Sequence, residues 1–243
     1  MRSSRWALLL DFDGTLVPLV NDPDQVRLDP AVRRLLRRLA NHPRLTVHVI
    51  SGRRVANLRK VALLPGVDVL GLHGWEKPGA VLPIDQQRSL LEAKRWLAPR
   101  LPTSRYVRLE DKGLALGIHH RGATPSAARL AKRLTLEACE RFRPALSVMP
   151  GRKLWELLPA AVGGKGEATK HLLQTLPQWA QPIFIGDDAS DELAFAALRN
   201  GNGLTVHVGG RTKTKARYWL RNPAEVRKFL EKLELAVNGN DKP

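Results

Sequence analysis

Short apolar runs that end in polar residues recur along the 243 residues of the chain. The first run, residues 7–10, stops at Asp11, and the second, Leu45–Ile50, stops at Ser51. An unbroken apolar run such as residues 7–10 is typical of a parallel strand that is buried on both faces of a sheet, and the largely apolar segment 45–50 predicts a second buried strand. Segments with helical periodicity follow these runs, as at 31–40, so the pattern predicts strands that alternate with helices.

The order of predicted elements changes between residues 84 and 158. There the pattern predicts a helix, two strands, a second helix and two further strands, with turn signals at 111–113 and 150–151. Closely spaced strands joined by turns favour antiparallel pairing. We therefore expect an α/β protein whose doubly wound, Rossmann-like parallel-sheet core is formed by residues 1–83 and 159–243. The αββαββ segment 84–158 is expected to be an inserted, smaller α+β cap domain.

Composition narrows the class of protein. Hydrophobic residues make up 43% of the chain, which is enough for a buried core, and no apolar run approaches the length of a transmembrane helix. The apolar stretch near the N-terminus ends at Asp11, too early for a signal peptide. The single cysteine, Cys139, cannot form an internal disulfide bond, and together these features favour a cytoplasmic protein.

The chain carries a formal net charge of +17 and has a pI of about 10.9, which raises the hypothesis of nucleic-acid binding. Its basic residues are dispersed along the chain, and a group of them lies on the polar side of the amphipathic segment 31–40: Arg33, Arg34, Arg37 and Arg38. No basic tail and no set of aromatic strands for base stacking accompanies them. Positive charge also attracts small anions such as sugar phosphates, which is the interpretation we favour.

The residues that carry the candidate chemistry follow predicted parallel strands or begin a helix beside them. They are Asp11, Asp13, Ser51, Lys165, Asp187 and Asp188. Because ligands of open α/β sheets bind at the carboxyl ends of the strands, we expect these side chains to converge. Two carboxylates as close as Asp11 and Asp13 repel each other unless a cation or a proton lies between them, which indicates Mg²⁺. An ordinary surface turn rich in aspartate and glycine is the alternative interpretation of this first motif.

Phosphoryl transfer uses such a set of groups. A carboxylate attacks phosphorus and forms an aspartyl-phosphate, while Mg²⁺ and a fixed lysine offset the charge of the phosphoryl oxygens. We favour Lys165 over Lys153 for the lysine, because Lys165 follows a pair of glycines at a predicted helix start. Ser51 is expected to position an oxygen of the phosphate.

Four ordered motifs resemble those of the haloacid dehalogenase-like phosphatase superfamily: Asp11-Phe-Asp-Gly-Thr15, Ser51, Lys165 and Gly186-Asp-Asp188. The resemblance implies that Asp11 is the nucleophile and that Asp13 is the general acid and base. It also implies a Mg²⁺ site formed by the Asp11 carboxylate, the Asp13 backbone carbonyl and Asp187. Asp188 and Asp191 are then expected to orient water molecules around the metal.

Within that superfamily the chain resembles the trehalose-6-phosphate phosphatases, in the stretches 50–53, 71–76, 110–113, 119–121, 151–159 and 186–192. The resemblance implies a set of substrate-binding residues: Glu110, Lys112, Arg121 and Glu156 in the cap domain, with Arg53, His73 and Glu76 outside it. Carboxylates accept hydrogen bonds from sugar hydroxyls and a lysine donates to them, so a charged set suits a sugar. A solvent-facing position is the alternative for Glu156, because it alternates with apolar neighbours.

The chain departs from that family's pattern at His120, Gly164 and Ser190, and the first two leave the identity of the sugar open. We expect Mg²⁺-dependent hydrolysis of trehalose 6-phosphate, a step of trehalose biosynthesis, with the cap closing over the substrate. One alternative is a phosphatase of the same fold for another sugar phosphate, such as sucrose phosphate or mannosyl-3-phosphoglycerate, and the other is a basic nucleic-acid-binding protein. The expected partner is the small-molecule substrate, without nucleic acid or membrane, and the expected state is a monomer.

Overall fold

The computed structural model describes residues 5–20, 25–151, 153–177, 180–199, 201, 203–210 and 213–239. The chain divides into two compact units, one from residues 1–77 and 164–243 and one from residues 78–163. The domain boundaries predicted at 83/84 and 158/159 differ from these limits by a few residues and stay a prediction. Among the described residues, every helix is too short or too polar to span a lipid bilayer.

The described strands and helices are numbered in chain order. The strands are β1 (Arg5–Leu10), β2 (Leu45–Ile50), β3 (Asp68–Leu70), β4 (Arg108–Asp111), β5 (Leu116–His119), β6 (Leu146–Gly151), β7 (Leu154–Pro159), β8 (Ala180–Gly186), β9 (Leu204–Val208) and β10 (Tyr218–Leu220). The helices are α1 (Pro30–Ala40), α2 (Val55–Val61), α3 (Ile84–Leu97), α4 (Pro125–Arg141), α5 (Gly164–Thr175), α6 (Asp191–Leu198) and α7 (Pro223–Gly239).

The first unit contains a six-stranded sheet with the order β10-β9-β8-β1-β2-β3. All of its described strand pairs are parallel, so the predicted doubly wound α/β core is confirmed. The central strand β1 pairs with β2 on one side and with β8 on the other. The chain order of the strands therefore reverses at β1, and ligands of such sheets bind at the carboxyl ends of the strands beside this point.

Helices cover both faces of this sheet, which explains why β1 is an unbroken apolar run. Leu8 and Leu10 lie in one hydrophobic cluster with residues of α1 and α7. Ala7 and Leu9 point to the opposite face and lie in a second cluster with residues of α6. All four side chains are fully buried, as expected for a central strand between two layers of helices.

The second unit contains an antiparallel sheet with the order β4-β5-β7-β6, as predicted for the α+β cap. One face of this sheet packs on α3 and α4, because Leu116, Ile118 and Leu157 share a hydrophobic cluster with residues of both helices. Side chains alternate between the two faces of a strand, so Gly117 and Glu156 belong to the opposite face. That face carries most of the cap residues predicted to bind the sugar.

Two local features differ from the predicted pattern. The sequence pattern at 67–72 predicts a third strand of the core, but β3 ends at Leu70 and a short 3-10 turn covers Leu72–Gly74. Leu72 and His73 have positive φ angles of 46° and 59°, which a strand cannot accommodate. The edge strand β10 was not predicted, because it has only three residues and none of them is fully buried.

Candidate active site

The acidic motifs meet at the carboxyl ends of β1 and β8. Asp11 follows β1 directly and is almost fully buried, with 4% of its surface exposed. Its backbone N–H donates a hydrogen bond to the Ile185 carbonyl at 2.9 Å, so the main chain stays in the sheet one residue beyond β1. Asp187 follows Gly186, the last residue of β8. The structure thus brings both motifs to the point where the strand order reverses.

Two glycines permit the close approach of the acidic loops. Gly14 has a φ of +89°, and a Cβ atom at this position would lie 2.2 Å from Oδ2 of Asp187. At Gly186, a Cβ atom would lie 2.3 Å from Cγ of Asp191. Any larger residue would push these carboxylates away, and only glycine adopts the Gly14 conformation at little cost. The geometry of the acidic cluster therefore depends on both glycines.

Lys165 links two carboxylates of the cluster. It is the second residue of α5 and is 2% exposed. Its Nζ donates hydrogen bonds to Oδ1 of Asp11 at 2.5 Å and to Oδ1 of Asp191 at 2.7 Å. Hydrogen bonds between charged groups are shorter and stronger than neutral ones. Lys153, the alternative considered from the sequence, is exposed and lies in the other unit.

Asp191 is fully buried, and hydrogen bonds engage both of its carboxylate oxygens. Oδ1 accepts from Lys165. Oδ2 accepts from the backbone N–H groups of Asp187 and Asp188, at 3.0 Å and 2.9 Å. Asp191, at the start of α6, therefore fixes the loop that carries Asp187 relative to the lysine. Asp188 itself is partly exposed, and its Oδ1 accepts from the N–H of Ala189 at 2.6 Å.

The ionisation of this cluster is strongly perturbed. Burial raises the pKa of Asp11 to about 7, with the charge of Lys165 opposing the rise and that of Asp191 adding to it. Burial, together with the charges of Asp11 and Asp191, raises the pKa of Asp187 to about 9. Burial alone would lower the pKa of Lys165, but the two carboxylates that it contacts raise it. One lysine thus offsets only part of the negative charge.

Carboxylate oxygens of Asp11, Asp187 and Asp191 lie within 4.8 Å of one another. Oxygen atoms are the ligands that Mg²⁺ prefers, and a divalent cation relieves the repulsion that raises these pKa values. Because both oxygens of Asp191 already accept hydrogen bonds, Asp11 and Asp187 are the carboxylates of the cluster that suit a metal ion better. The residues present therefore fit the predicted Mg²⁺.

Ser51 and Arg53 lie just after the carboxyl end of β2, the strand that pairs with β1. Ser51 is 1% exposed, and its Oγ accepts a hydrogen bond from the Arg53 N–H at 3.1 Å. The Arg53 guanidinium forms two hydrogen bonds with Asp13, from Nε to Oδ2 at 2.6 Å and from Nη2 to Oδ1 at 2.7 Å. Arg53, which the sequence predicts to bind substrate, therefore contacts the residue predicted to transfer protons.

His73 and Glu76 are the two other residues of this unit that are predicted to bind substrate, and both form hydrogen bonds that involve backbone groups. His73 is 6% exposed, and its backbone N–H donates to the Ser51 carbonyl at 2.8 Å. Glu76 accepts a hydrogen bond from the Val55 N–H at 2.8 Å, at the start of α2, and another from Arg54 Nη2 at 3.1 Å. These bonds give Glu76 the position of a helix-capping residue, and its contact with a sugar stays a prediction.

In the second unit, the predicted sugar-binding residues form pairs on the antiparallel sheet. Lys112 donates a hydrogen bond to Glu156, and His119 Nε2 lies 2.6 Å from Oε2 of Glu110. The hydrogen bond with His119 lowers the pKa of Glu110, although burial opposes this change. Glu156 is 2% exposed, so the solvent-facing alternative for this residue is wrong. Arg121 is exposed, on the turn that follows β5.

His119 is the member of this group that the sequence motifs do not identify as a site residue. The register of β4 and β5 places Gly117 opposite Glu110 and His119 opposite Arg108. Residues 117 and 119 share one face of β5, since side chains alternate along a strand. This period of two is the signal that could have identified His119 as a neighbour of Glu110.

A parallel sheet whose strand order reverses at an acidic cluster, and which is interrupted in the chain by an antiparallel unit, is the architecture of the haloacid dehalogenase-like class of proteins. The same fold occurs in BT1666 from Bacteroides thetaiotaomicron, a phosphatase of the HAD enzyme superfamily, with a TM-score of 0.64. The two chains are 14% identical, and 98% of each is covered, so this likeness concerns the fold alone.

Within this class the chain belongs to the trehalose-phosphatase family, whose sequence profile matches residues 9–224. It is 32% identical to trehalose 6-phosphate phosphatase RA3 of Zea mays, with 93% of this chain and 69% of that relative covered. The structure resembles the C-terminal domain of a trehalose-6-phosphate phosphatase from C. albicans, with a TM-score of 0.80 and 26% identity. That comparison covers 96% of this chain and 93% of the other.

Proposed function

We propose that the protein hydrolyses trehalose 6-phosphate to trehalose and phosphate through a phosphoenzyme formed on Asp11. The observation that carries the proposal is the buried Asp11–Lys165–Asp191 network beside Asp187, at the carboxyl ends of β1 and β8. Such a network supplies a nucleophile and a fixed positive charge in one place. Membership of the trehalose-phosphatase family and the names of the relatives support this choice of substrate.

In the first step, an oxygen of Asp11 attacks phosphorus, and the bond between phosphorus and the sugar oxygen breaks. Lys165 holds Oδ1 of Asp11, so we assign the attack to Oδ2. Asp13 donates a proton to the departing sugar oxygen. In the second step, water attacks phosphorus, Asp13 accepts its proton, and the bond to Asp11 breaks to release phosphate. Asp11 is thereby restored as a carboxylate, and Asp13 is restored as the protonated acid that begins the next cycle.

Fixed charges of the chain serve the same reaction. Lys165 keeps its charge because its pKa is raised, so it offsets negative charge as the phosphoryl group is transferred. We propose that Asp11, Asp187 and the Asp13 backbone carbonyl hold Mg²⁺, which would neutralise the carboxylates and the phosphoryl oxygens together. Asp188 and Asp191 would orient water molecules around the ion. Ser51, at the carboxyl end of β2, would position a phosphoryl oxygen.

We assign recognition of the sugar to the charged residues of the antiparallel sheet. Glu110 and Glu156 offer carboxylate oxygens to sugar hydroxyls, and Lys112 offers N–H donors. The Lys112–Glu156 and His119–Glu110 pairs hold these groups in defined orientations. Arg121 in this unit, and Arg53, His73 and Glu76 in the other, stay predicted substrate-binding residues.

A phosphate-release screen tests this proposal. The purified chain is assayed with trehalose 6-phosphate, sucrose phosphate, mannosyl-3-phosphoglycerate and glucose 6-phosphate, each with Mg²⁺ and with EDTA. We expect the highest kcat/KM for trehalose 6-phosphate and no release in EDTA. A higher kcat/KM for one of the other sugar phosphates would replace the proposed substrate, and equal release with EDTA would contradict the metal requirement.

The remaining assignments concern partners and location. We propose that the protein acts as a monomer in the cytoplasm, on a small-molecule substrate, and without a nucleic-acid or membrane partner. The family assignment supports an enzyme over the nucleic-acid-binding alternative. That alternative requires salt-dependent binding to DNA or RNA, so a titration with labelled nucleic acid at two salt concentrations tests it directly.

A further inference from the structure

The Arg53–Asp13 pair has a geometry that simple substrate binding by Arg53 does not require. Two N–H donors of one guanidinium contact the two oxygens of one carboxylate, at 2.6 Å and 2.7 Å. A two-point contact of this kind fixes the plane of the carboxylate as well as its position. A lysine, which has a single charged nitrogen, could not fix that plane.

Arg53 is itself held in place before any substrate arrives. Its backbone N–H donates to Ser51, and its carbonyl accepts from the N–H of Leu72 at 2.9 Å. A Cβ atom on Gly71 would lie 2.8 Å from that carbonyl oxygen, so only glycine allows this approach. The guanidinium carbon lies 5.7 Å from the centre of the buried Phe12 ring, and the side chain is 11% exposed.

Asp13 remains accessible while it is held. Its side chain is 32% exposed, whereas the side chain of Asp11 is 6% exposed. A carboxylate has about four lone-pair directions, so two hydrogen bonds from Arg53 leave further positions for a substrate oxygen or a water molecule. Arg53 therefore orients the carboxylate of Asp13 without blocking it.

We propose that Arg53 is a positioning residue for proton transfer by Asp13, and that its main contribution is to this orientation and not to substrate affinity. The inference rests on the proposed function, because it takes Asp13 as the proton donor and acceptor. General acid and base catalysis contributes about 10²–10⁴-fold to a rate, and loss of orientation removes a part of this factor. Arg53→Ala should lower kcat about 10- to 100-fold, with KM changed less than about threefold.

A chromogenic substrate separates the two proton transfers. With 4-nitrophenyl phosphate the leaving group needs no proton, so formation of the phosphoenzyme should stay fast in Arg53→Ala. Its breakdown still needs Asp13 to activate water and should become slow. We expect a burst of about one nitrophenol per enzyme molecule, followed by slow turnover. A general weakening of the structure would slow both phases and produce no burst.

A double-mutant cycle with Asp13→Asn tests whether Arg53 acts through Asp13. If it does, adding Arg53→Ala to Asp13→Asn should cost less than about twofold in kcat, because residues that act as one unit are not additive. Arg59→Ala is the matched control, since it removes one exposed positive charge from the same segment. It should leave kcat and KM unchanged. Arg53→Lys is the second variant in case Arg53→Ala does not fold, and it should also lower kcat.

The outcomes separate this inference from the proposed function. No phosphate release by the wild-type protein from any sugar phosphate would overturn the proposed function, and the inference with it. With an active wild-type protein, a rise in KM at unchanged kcat would overturn the inference alone. Multiplicative losses in the double mutant, or wild-type kcat in Arg53→Lys, would do the same. A fall in kcat with a burst and a non-additive cycle would support it.

Discussion

The affinity of the protein for Mg²⁺ should rise steeply between pH 7 and pH 9. Asp187 is one of the carboxylates that suit the metal, and burial, with the charges of Asp11 and Asp191, raises its pKa to about 9. A carboxyl group must lose its proton before it binds a metal ion, so protons compete with Mg²⁺ below this pKa. Raising the pH removes that competition, and the metal should therefore bind more tightly.

The size of the effect follows from the same pKa. Asp187 is ionised in about 1% of metal-free molecules at pH 7 and in about half of them at pH 9, so the association constant should rise about 50-fold. Asp11, whose pKa is about 7, is half ionised at the lower pH and adds about a factor of two. The combined change is on the order of 100-fold, equivalent to roughly 3 kcal/mol of binding free energy.

Isothermal titration calorimetry measures this change. Mg²⁺ is titrated into metal-free protein at pH 7 and pH 9, each in two buffers with different heats of ionisation, which also gives the number of protons released. About one to two protons should be released at pH 7 and fewer at pH 9. Glu137→Gln, which changes an exposed carboxylate outside the cluster, should reproduce the wild-type values. Equal association constants at the two pH values, or binding without proton release, would refute the reasoning.

Three further predictions concern Lys165, Glu156 and Asp187. Lys165→Met should lower the free energy of unfolding of the metal-free protein by about 3–5 kcal/mol, because it leaves Asp11 and Asp191 buried without their cation. Chemical denaturation measures this free energy, and a loss below about 1 kcal/mol would contradict the role of the network. Glu156→Ala should raise KM for trehalose 6-phosphate at least about tenfold, and KM for 4-nitrophenyl phosphate less than about twofold, because only the sugar ester needs recognition of its hydroxyls. Equal changes in the two KM values would contradict the assignment of Glu156 to sugar recognition. In EDTA, Tm should fall from pH 7 to pH 9, because the folded protein keeps the Asp187 proton up to a pKa of about 9 whereas the unfolded chain has already lost it, so raising the pH favours unfolding. An unchanged or rising Tm would contradict the raised pKa of Asp187.

The layered core could be predicted because its central strands are apolar segments that end in polar residues. The strand predicted at Leu45–Ile50 coincides with β2, and the run that ends at Asp11 is β1. Both strands lie between layers of helices, so β1 is apolar from Ala7 to Leu10 and β2 is largely apolar, with Thr46 and His48 as its polar residues. Polar residues that follow such runs lie at the carboxyl edge of the sheet, which is why Asp11, Ser51 and Asp187 were found as candidates.

The contacts between these candidates could not be predicted in the same way. Asp13 and Arg53 are separated by 40 residues, and their two-point contact depends on the rotamers of both side chains. Asp191 was expected to act near the metal, but its link between Lys165 and the backbone of the neighbouring loop requires the three-dimensional path of that loop. Raised pKa values depend on burial and on all neighbouring charges at once, so no motif indicates their size.

The central claim is that Asp11 carries the phosphoryl group during turnover. The most direct measurement is the kcat of Asp11→Asn for trehalose 6-phosphate, with saturating Mg²⁺ and with circular dichroism to establish that the variant is folded. An amide cannot form the phosphoenzyme, so we predict that phosphate release falls at least about 10³-fold below that of the wild-type protein. A folded Asp11→Asn variant that releases phosphate at close to the wild-type rate would contradict the account.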